Sequence, residues 1–423
     1  MSRRIVITGM GVVAPNGVGI PAFLNAIQHG VSGLKFIPLY KDLHFNCQVC
    51  GVPDFDFTHL KDYLTEVTFH GLKGSTIGYA IKAAADAWID AGNTLYDGKI
   101  HWETGCVFGN SVADTEAMKR IISLVDARQS RKLGSRMVEQ MLNSGSTAYI
   151  TGLLGLGNRI ITNSSACATG SQAVLMGYEY IKHGMAKRML VGSNEYIDNY
   201  IFGAFDAMRI LSRKFNQTPE KASRPMSASA GGFVPGSGAG ALVLEDLDFA
   251  LARNATIYAE VLGGATNSGA QQGNGSMTSP NAEGVVHCIT DAIKNAAIEP
   301  DDIDLISGHL TATIADKMEI ENWSAALNRK GTDFPMTNSL KSMIGHCLSA
   351  AGSIEIVGVV LQLMHQFVHP NINLEDPNPE ITGIADLHCF PTKKLDKNLN
   401  IVAKANFGFG DVNACVLFSK YKR

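Results

Sequence analysis

The 423-residue sequence predicts an α/β fold assembled from two copies of one unit, on three observations. Apolar, β-branched runs alternate throughout with longer Ala-rich stretches of helical period, the pattern of buried strands covered by helices. Two segments far apart in the chain read alike. No low-complexity linker, Pro-rich spacer or charge block separates them.

In chain order, residues 5–8 (I-V-I-T) read as an opening strand running into Gly9, Gly11 and Pro15. A helix is expected over 76–91, a strand over 160–162, and a helix over 171–183 entered through small residues. Strands follow at 189–192, 241–245 and 257–262, a helix at 283–297, and an apolar run at 303–308 that ends just before His309. The last elements are a helix over 349–365 and a strand over 414–418. Residues 161–183 and 336–365 each give a short strand, Thr-Asn-Ser, a small-residue turn and a long helix. The strand at 5–9 has its counterpart at 257–264. Two halves, 1–253 and 254–423, are therefore expected, and two units suit a length at which one core stops growing.

Composition removes whole classes of function. The formal net charge is −3 and no run of five basic residues occurs, so nucleic acid is not an expected partner. The start, M-S-R-R-I-V-I-T-G, has no apolar region of signal-peptide length, and no apolar stretch of about 18 residues is read elsewhere, so no membrane association and a cytoplasmic location are expected. Only 18% of residues are charged against 45% hydrophobic, which favours surface buried between subunits. Eight cysteines in a cytosolic chain stay reduced, and Cys47-x-x-Cys50 lacks a second ligand pair, so neither disulfides nor a metal is expected.

Four places carry chemistry. Cys167, in S-S-A-C-A-T-G, lies between a strand and a helix among side chains small enough for a sharp turn. At a helix N-terminus a thiol meets the positive end of the dipole and free N–H groups, which favour the thiolate and an oxyanion. His309 sits at a strand end, where α/β folds place chemistry. His346, in K-S-M-I-G-H five residues after Lys341, occupies the turn of the second copy that corresponds to the Cys167 turn. Duplicated units facing each other bring these turns together. In N-F-G-F-G-D, residues 406–411, glycines permit a mobile turn that brings a backbone N–H and Phe409 to a ligand.

With Cys167, His309, Lys341, His346 and Phe409 in this order, the chain resembles the condensing enzymes, most closely β-ketoacyl-acyl-carrier-protein synthase II and the type II polyketide ketosynthases. The resemblance runs over the whole length and rests on A-C-A-T-G, H-x-T-x-T, K-S-M-x-G-H with the following A-A-G, and G-F-G. It implies the five-layered αβαβα thiolase fold of two duplicated halves. It implies decarboxylative condensation of an acyl-enzyme with malonyl-acyl carrier protein, the acyl group on Cys167. Backbone N–H groups of Cys167 and Phe409 form the oxyanion hole, and His309 and His346 act on the malonyl thioester. Lys341 holds the constellation electrostatically, with Glu319 as its ion-pair partner. Thr311 and Thr313 hydrogen-bond the pantetheine arm, Val112 and Phe205 line the acyl pocket, and Arg131, Lys132 and Arg209 dock the carrier protein. No bound cofactor is implied, since substrates arrive on the carrier's phosphopantetheine. The partner is an acyl carrier protein, and the assembly is a homodimer or a heterodimer with a chain-length factor.

The sequence departs from the family pattern at Leu310, which is expected to add bulk beside a catalytic group, and at Asp411, expected to charge and stiffen the Phe409 turn. The stretch 224–234 lacks the Phe, Asp and Arg usual after Arg224-Pro225. These departures bear on the acyl chain and leave the reaction type untouched. A non-condensing binding subunit on the same fold is opposed by the intact Cys-His-His set, and a cysteine hydrolase by the second histidine. Gly236-x-Gly238-x-Gly240 precedes a strand and so fails the context of a dinucleotide loop.

Overall fold

The computed structural model describes residues 3–95 and 98–422. Its main sheet holds ten strands, numbered in chain order: β1 (Ile5–Ala14), β2 (Thr104–Gly109), β3 (Ile160–Ile161), β4 (Arg188–Glu195), β5 (Gly238–Asp246), β6 (Ala259–Ser268), β7 (Leu305–Ser307), β8 (Met336–Asn338), β9 (Ile401–Gly408) and β10 (Val412–Ser419). They lie in the order β8-β7-β9-β10-β6-β1-β5-β4-β2-β3, and the short Gly17–Val18 strand adds to β1.

Dividing that order between β6 and β1 gives two sets of five strands with identical wiring. In one, β1–β5 and β5–β4 are antiparallel, and β4–β2 and β2–β3 are parallel. In the other, β6–β10 and β10–β9 are antiparallel, and β9–β7 and β7–β8 are parallel. The two sets meet where β1 pairs antiparallel with β6, Ile5 opposite Val261 and Ile7 opposite Ala259. An antiparallel junction of equivalent strands is what a local two-fold axis demands.

Helices complete five layers. Between the sets lie α2 (Thr169–Lys182) and α6 (Ala351–His365), each packed on strands of both. Outside one set lies α1 (Ser75–Asp90), and outside the other α4 (Ala282–Ala296) and α5 (Ala315–Leu327). The largest apolar cluster fills the middle, with Val174, Leu175, Ile354, Val357 and Leu361 from the two central helices. Each such fully buried side chain contributes about 1.5–3 kcal/mol. The central helices approach so closely that a Cβ on Gly170 would fall 2.3 Å from the Ser353 backbone N, and one on Gly352 would fall 2.6 Å from that of Ser171. Alanine at either position drives the helices apart.

The helices expected at 76–91, 171–183, 283–297 and 349–365 are present with ends moved by one or two residues. The strand expected at 257–262 runs on to Ser268. Strands β2 and β9 have no counterpart in the sequence reading, because Gly105, Lys404 and Asn406 interrupt their apolar runs. The expectation that no apolar stretch reaches 18 residues fails at Leu348–His365, which has the length and hydropathy of a membrane-crossing helix. That window is 89% buried, and it forms the middle layer.

Candidate active site

The turn before α2 is shaped by its own polar side chains. Thr169 Oγ accepts the Ser165 N–H (2.8 Å) and donates to the Ala166 carbonyl (2.7 Å), while Asn163 donates to the Thr169 carbonyl. Ala166 is thereby held at φ 46°, a left-handed conformation that costs a residue bearing a Cβ on the order of 1 kcal/mol. The strain aims Cys167 away from the turn and into a cavity. Opposite, the strand end at Gly408 comes so near that a Cβ there would lie 3.2 Å from the Cys167 backbone N.

Cys167, His309 and His346 converge from three elements. Cys167 precedes α2, His309 follows β7, and His346 follows the short helix Lys341–Ile344. The cysteine sulfur and one ring nitrogen of each histidine lie within 4.8 Å of one another. The two imidazoles meet edge to face, 5.1 Å between centroids, and Phe233 packs against His346 at 5.5 Å. The Leu348 N–H donates to His346 Nδ1 (3.1 Å), so that nitrogen accepts and the proton sits on Nε2. Burial, then the nearby Lys341, brings His346 down to about 3, and the same causes with His346 and Lys404 hold His309 well below the usual histidine value. Both rings are neutral at pH 7.

Burial acts on the thiol in the other direction. It pushes Cys167 up to about 11, although Lys341 and the Phe409 backbone N–H pull it down. The sequence argument that a helix N-terminus favours the thiolate is outweighed here by desolvation. At rest Cys167 is a thiol.

Beneath the histidines lies a buried charge cluster that differs from the sequence expectation. The partner of Lys341 is Glu355 on α6, and Lys404 of β9 bonds the second oxygen of the same carboxylate at 2.8 Å. Burial raises the Glu355 pKa, but the two ammonium groups outweigh it and hold the carboxyl at about 2. Glu319, the expected partner of Lys341, instead lies under the histidine loop and accepts the N–H groups of His309 and Leu310, both at 2.6 Å. The chain supplies Glu355 because α6 starts from the same turn as His346, whereas α5 runs behind the loop. Asp316, also on α5, accepts the N–H groups of Thr311 (2.7 Å), Ala312 (3.1 Å) and Met226 (2.8 Å).

A cavity of about 500 Å³ opens above this floor. Phe205, on α3 (Asn199–Ala207), together with Thr311, Thr313 and Phe409, lines it as expected from sequence. Val112 does not; it is an exposed side chain, and its neighbour Ser111 faces the cavity. The chain turns at the end of β2 so that the Ser111 hydroxyl reaches Glu195, which leaves Val112 pointing outward. Leu310 does not crowd the histidines, because it is buried behind the loop with Ile306, Trp323 and Leu327. Asp411, expected to stiffen the Phe409 turn, is held by hydrogen bonds to the neighbouring loop. At φ 61° and fully buried, its carboxylate accepts the N–H groups of Gln271 and Asn281 at 2.9 Å, and Gly410 donates to the Met277 carbonyl. Those bonds tie the turn to the loop whose Thr278, Ser279 and Pro280 form the opposite wall.

Arg209 is exposed between Met208 and Ile210, both of which line the cavity, so it stands at the mouth. Arg131 and Lys132 are exposed on the Ser130–Lys132 turn and do not line it. Arg224 opens the departing segment and pairs with Glu375 (2.6 Å) and Asp376 (2.9 Å). Sequence reasoning missed Glu355, Lys404, Asn406, Glu195 and Ser111. Glu355 alone left a signal, the single carboxylate in a largely apolar helix.

Comparison with known proteins gives the family. Family models match residues 2–250 (beta-ketoacyl synthase, N-terminal domain) and 258–375 (beta-ketoacyl synthase, C-terminal domain). The chain is 32% identical over 429 residues to 3-oxoacyl-[acyl-carrier-protein] synthase 1 of Escherichia coli (strain K12), covering 99% of this chain and 100% of the relative. The ishigamide ketosynthase/chain length factor structure superimposes with a TM-score of 0.88 at 27% identity, over 100% of both chains. A type II polyketide synthase acyl-carrier protein in complex with its hexaketide-bound ketosynthase (AntDE:AntF) gives 0.87 at 28%, again over 100% of both. A single thiol facing two neutral imidazoles, in a fold of two like-wired halves matched by both domain models, places this chain in the beta-ketoacyl synthase family.

Proposed function

We propose that Cys167, His309, His346, Lys341 and Phe409 carry out the family's decarboxylative condensation in this chain. A member of this family is a condensing acyltransferase of fatty acid or polyketide synthesis. The observation that carries the residue roles is the meeting of the sulfur and two imidazole nitrogens within 4.8 Å at the floor of one cavity.

The Cys167 thiol attacks the carbonyl of an acyl thioester on the phosphopantetheine of an acyl carrier protein. The sulfur–acyl bond forms, the pantetheine sulfur leaves, and the thiol proton passes to it. Backbone N–H groups of Cys167 and Phe409 receive the oxyanion. Malonyl-acyl carrier protein then binds, its arm held by Thr311 and Thr313. Loss of carbon dioxide leaves an enolate whose oxygen accepts hydrogen bonds from the two neutral imidazoles, which donate without gaining a proton. The enolate carbon attacks the acyl carbonyl, the β-ketoacyl thioester departs on the carrier, and Cys167 regains a proton from solvent. Burial, reinforced by the positive charges of Lys341 and Lys404, keeps the imidazoles neutral.

The two halves, 1–253 with the nucleophile and 254–423 with the histidines, form one site between them in this reading. The carrier protein docks at the mouth beside Arg209, with Arg131 and Lys132 as a second basic point. A second subunit, a like copy or a chain-length-factor relative, covers the edge strand β3. Support for that comes from the exposure of Ile160 there and of Ile100 and Trp102 nearby. A cytoplasmic location belongs to the same reading.

The test is intact-protein mass spectrometry after incubation with a panel of acyl-carrier-protein thioesters. Wild type gains the acyl mass and Cys167→Ala does not; a gain that persists in the variant removes Cys167 from its role. His309→Ala takes up the acyl group but makes no β-ketoacyl product, and a fully condensing variant refutes the part given to that histidine.

A further inference from the structure

Asn406, on β9, touches three groups of the buried network at once. Its Oδ1 pairs with the Ser171 hydroxyl (2.6 Å), and its Nδ2 donates to Glu355 Oε2 (3.0 Å) and lies 3.4 Å from His309 Nδ1. The orientation of the amide is decided by chemistry. Glu355, ionised between two lysines, only accepts, so the amide nitrogen must face it, and the Ser171 hydroxyl then donates to the amide oxygen. A nitrogen carrying two protons therefore faces His309 Nδ1.

We propose that Asn406 is a positioning residue that fixes His309 in the tautomer protonated at Nε2, so that both histidines present an N–H donor to the cavity. The inference rests on the condensing reading of the site. A neutral imidazole carries one proton, and if Nδ1 accepts from the Asn406 amide the proton must be on Nε2. His346 is set the same way by a different donor, the Leu348 backbone N–H. The charged floor explains why a side-chain amide does this work. Glu355 holds one amide proton, and Lys404, bonded to Glu355 and to the carbonyls of Ser307 (3.2 Å) and Gly308 (3.3 Å), anchors the carboxylate beside the strand end that leads to His309. Neutrality of the ring, which the tautomer requires, follows from burial and from the positive charges of Lys341 and Lys404.

The test uses the full-length protein labelled with ¹⁵N-histidine, the His309 resonances being assigned by their loss in His309→Ala. In wild type, His309 Nδ1 should give the signal of an unprotonated ring nitrogen and Nε2 that of a protonated one. Asn406→Asp has the same shape but offers an acceptor to Nδ1, so the proton should move to Nδ1. Condensation by pre-acylated Asn406→Asp should fall about 10²–10³-fold, the usual loss for one oxyanion donor, while acyl uptake by Cys167 stays near wild type. A wild-type proton on Nδ1 overturns the proposal without any variant having to fold. It is also overturned if Asn406→Asp keeps the proton on Nε2 or condenses at the wild-type rate. A wild-type enzyme that takes up no acyl group would instead defeat the condensing reading, and the ring-nitrogen spectrum is independent of that outcome.

Discussion

The Cys167 turn and the Ser349 turn are the same piece of backbone used in two ways. Residues 166–171 read A-C-A-T-G-S and residues 348–353 read L-S-A-A-G-S; each opens a central helix, and each begins with a left-handed residue, Ala166 at φ 46° and Leu348 at φ 45°. Each glycine presses on the other helix, and each following serine bonds a strand of the opposite half, Ser171 to Asn406 and Ser353 to Ser193. They part at the residue that would meet a ligand. Ser349 donates to the carboxylate of Glu195 (2.6 Å), which the Ser349 backbone N–H also reaches; Cys167 faces Gly408 and open cavity. In one half the protein's own Glu195 carboxyl group fills the space at the helix start, and in the other that space is left open. The like-wired halves present two such turns, and a glycine in place of a glutamate at the end of the facing strand leaves the one at Cys167 open to the cavity.

The largest effect that can break this comparison is at its centre. Cys167→Ala should abolish acyl uptake and lower condensation by about 10³-fold or more, whereas Ser349→Ala should take up acyl groups as wild type does, both read by intact mass. Uptake lost equally in both variants would mean the two turns are not functionally distinct.

Next is the floor that serves the open site alone. Glu355→Gln leaves Lys341 and Lys404 buried without their carboxylate, and should cost about 3–5 kcal/mol in urea unfolding. A cost below about 1 kcal/mol would show that water or relaxation already screens the cluster.

The filled site has its own signature in pH. Burial raises Glu195 from 4.5 to about 7, so the fold favours its protonated form. The stability this brings is present below the unfolded value and is lost as pH rises through about 7. Relative to wild type, Glu195→Gln should therefore gain stability between about pH 4.5 and 7, as measured by denaturant midpoints. A difference that stays flat across that range would remove Glu195 as the group filling the second site.

The smallest effect sharpens the picture of the opposing wall. Asp411→Gly removes two hydrogen bonds to the 271–281 loop and should cost about 1–3 kcal/mol, with acylation slowed more than condensation of a pre-loaded enzyme. Unchanged stability would show that the loop holds the Phe409 turn without the carboxylate.

The sequence by itself carried the α/β class, the repeat, and the candidates Cys167, His309 and His346, because buried strands, helix periods and small-residue turns are local patterns; Lys341 joined them through the resemblance. The family resemblance its motifs carry implied Phe205, Thr311 and Thr313 as pocket residues, and all three line the cavity. Only the tertiary structure decided who partners whom. Lys341 pairs with Glu355 and not Glu319, Ser111 and not Val112 faces the cavity, and Asn406 reaches His309 from a strand 97 residues away. The protonation states belong to the same class, since the helix start that favours a thiolate on Cys167 yields to burial that only the packed halves create. Partner choice, side-chain facing and desolvation depend on contacts between elements distant in the chain, and local sequence carries no record of them.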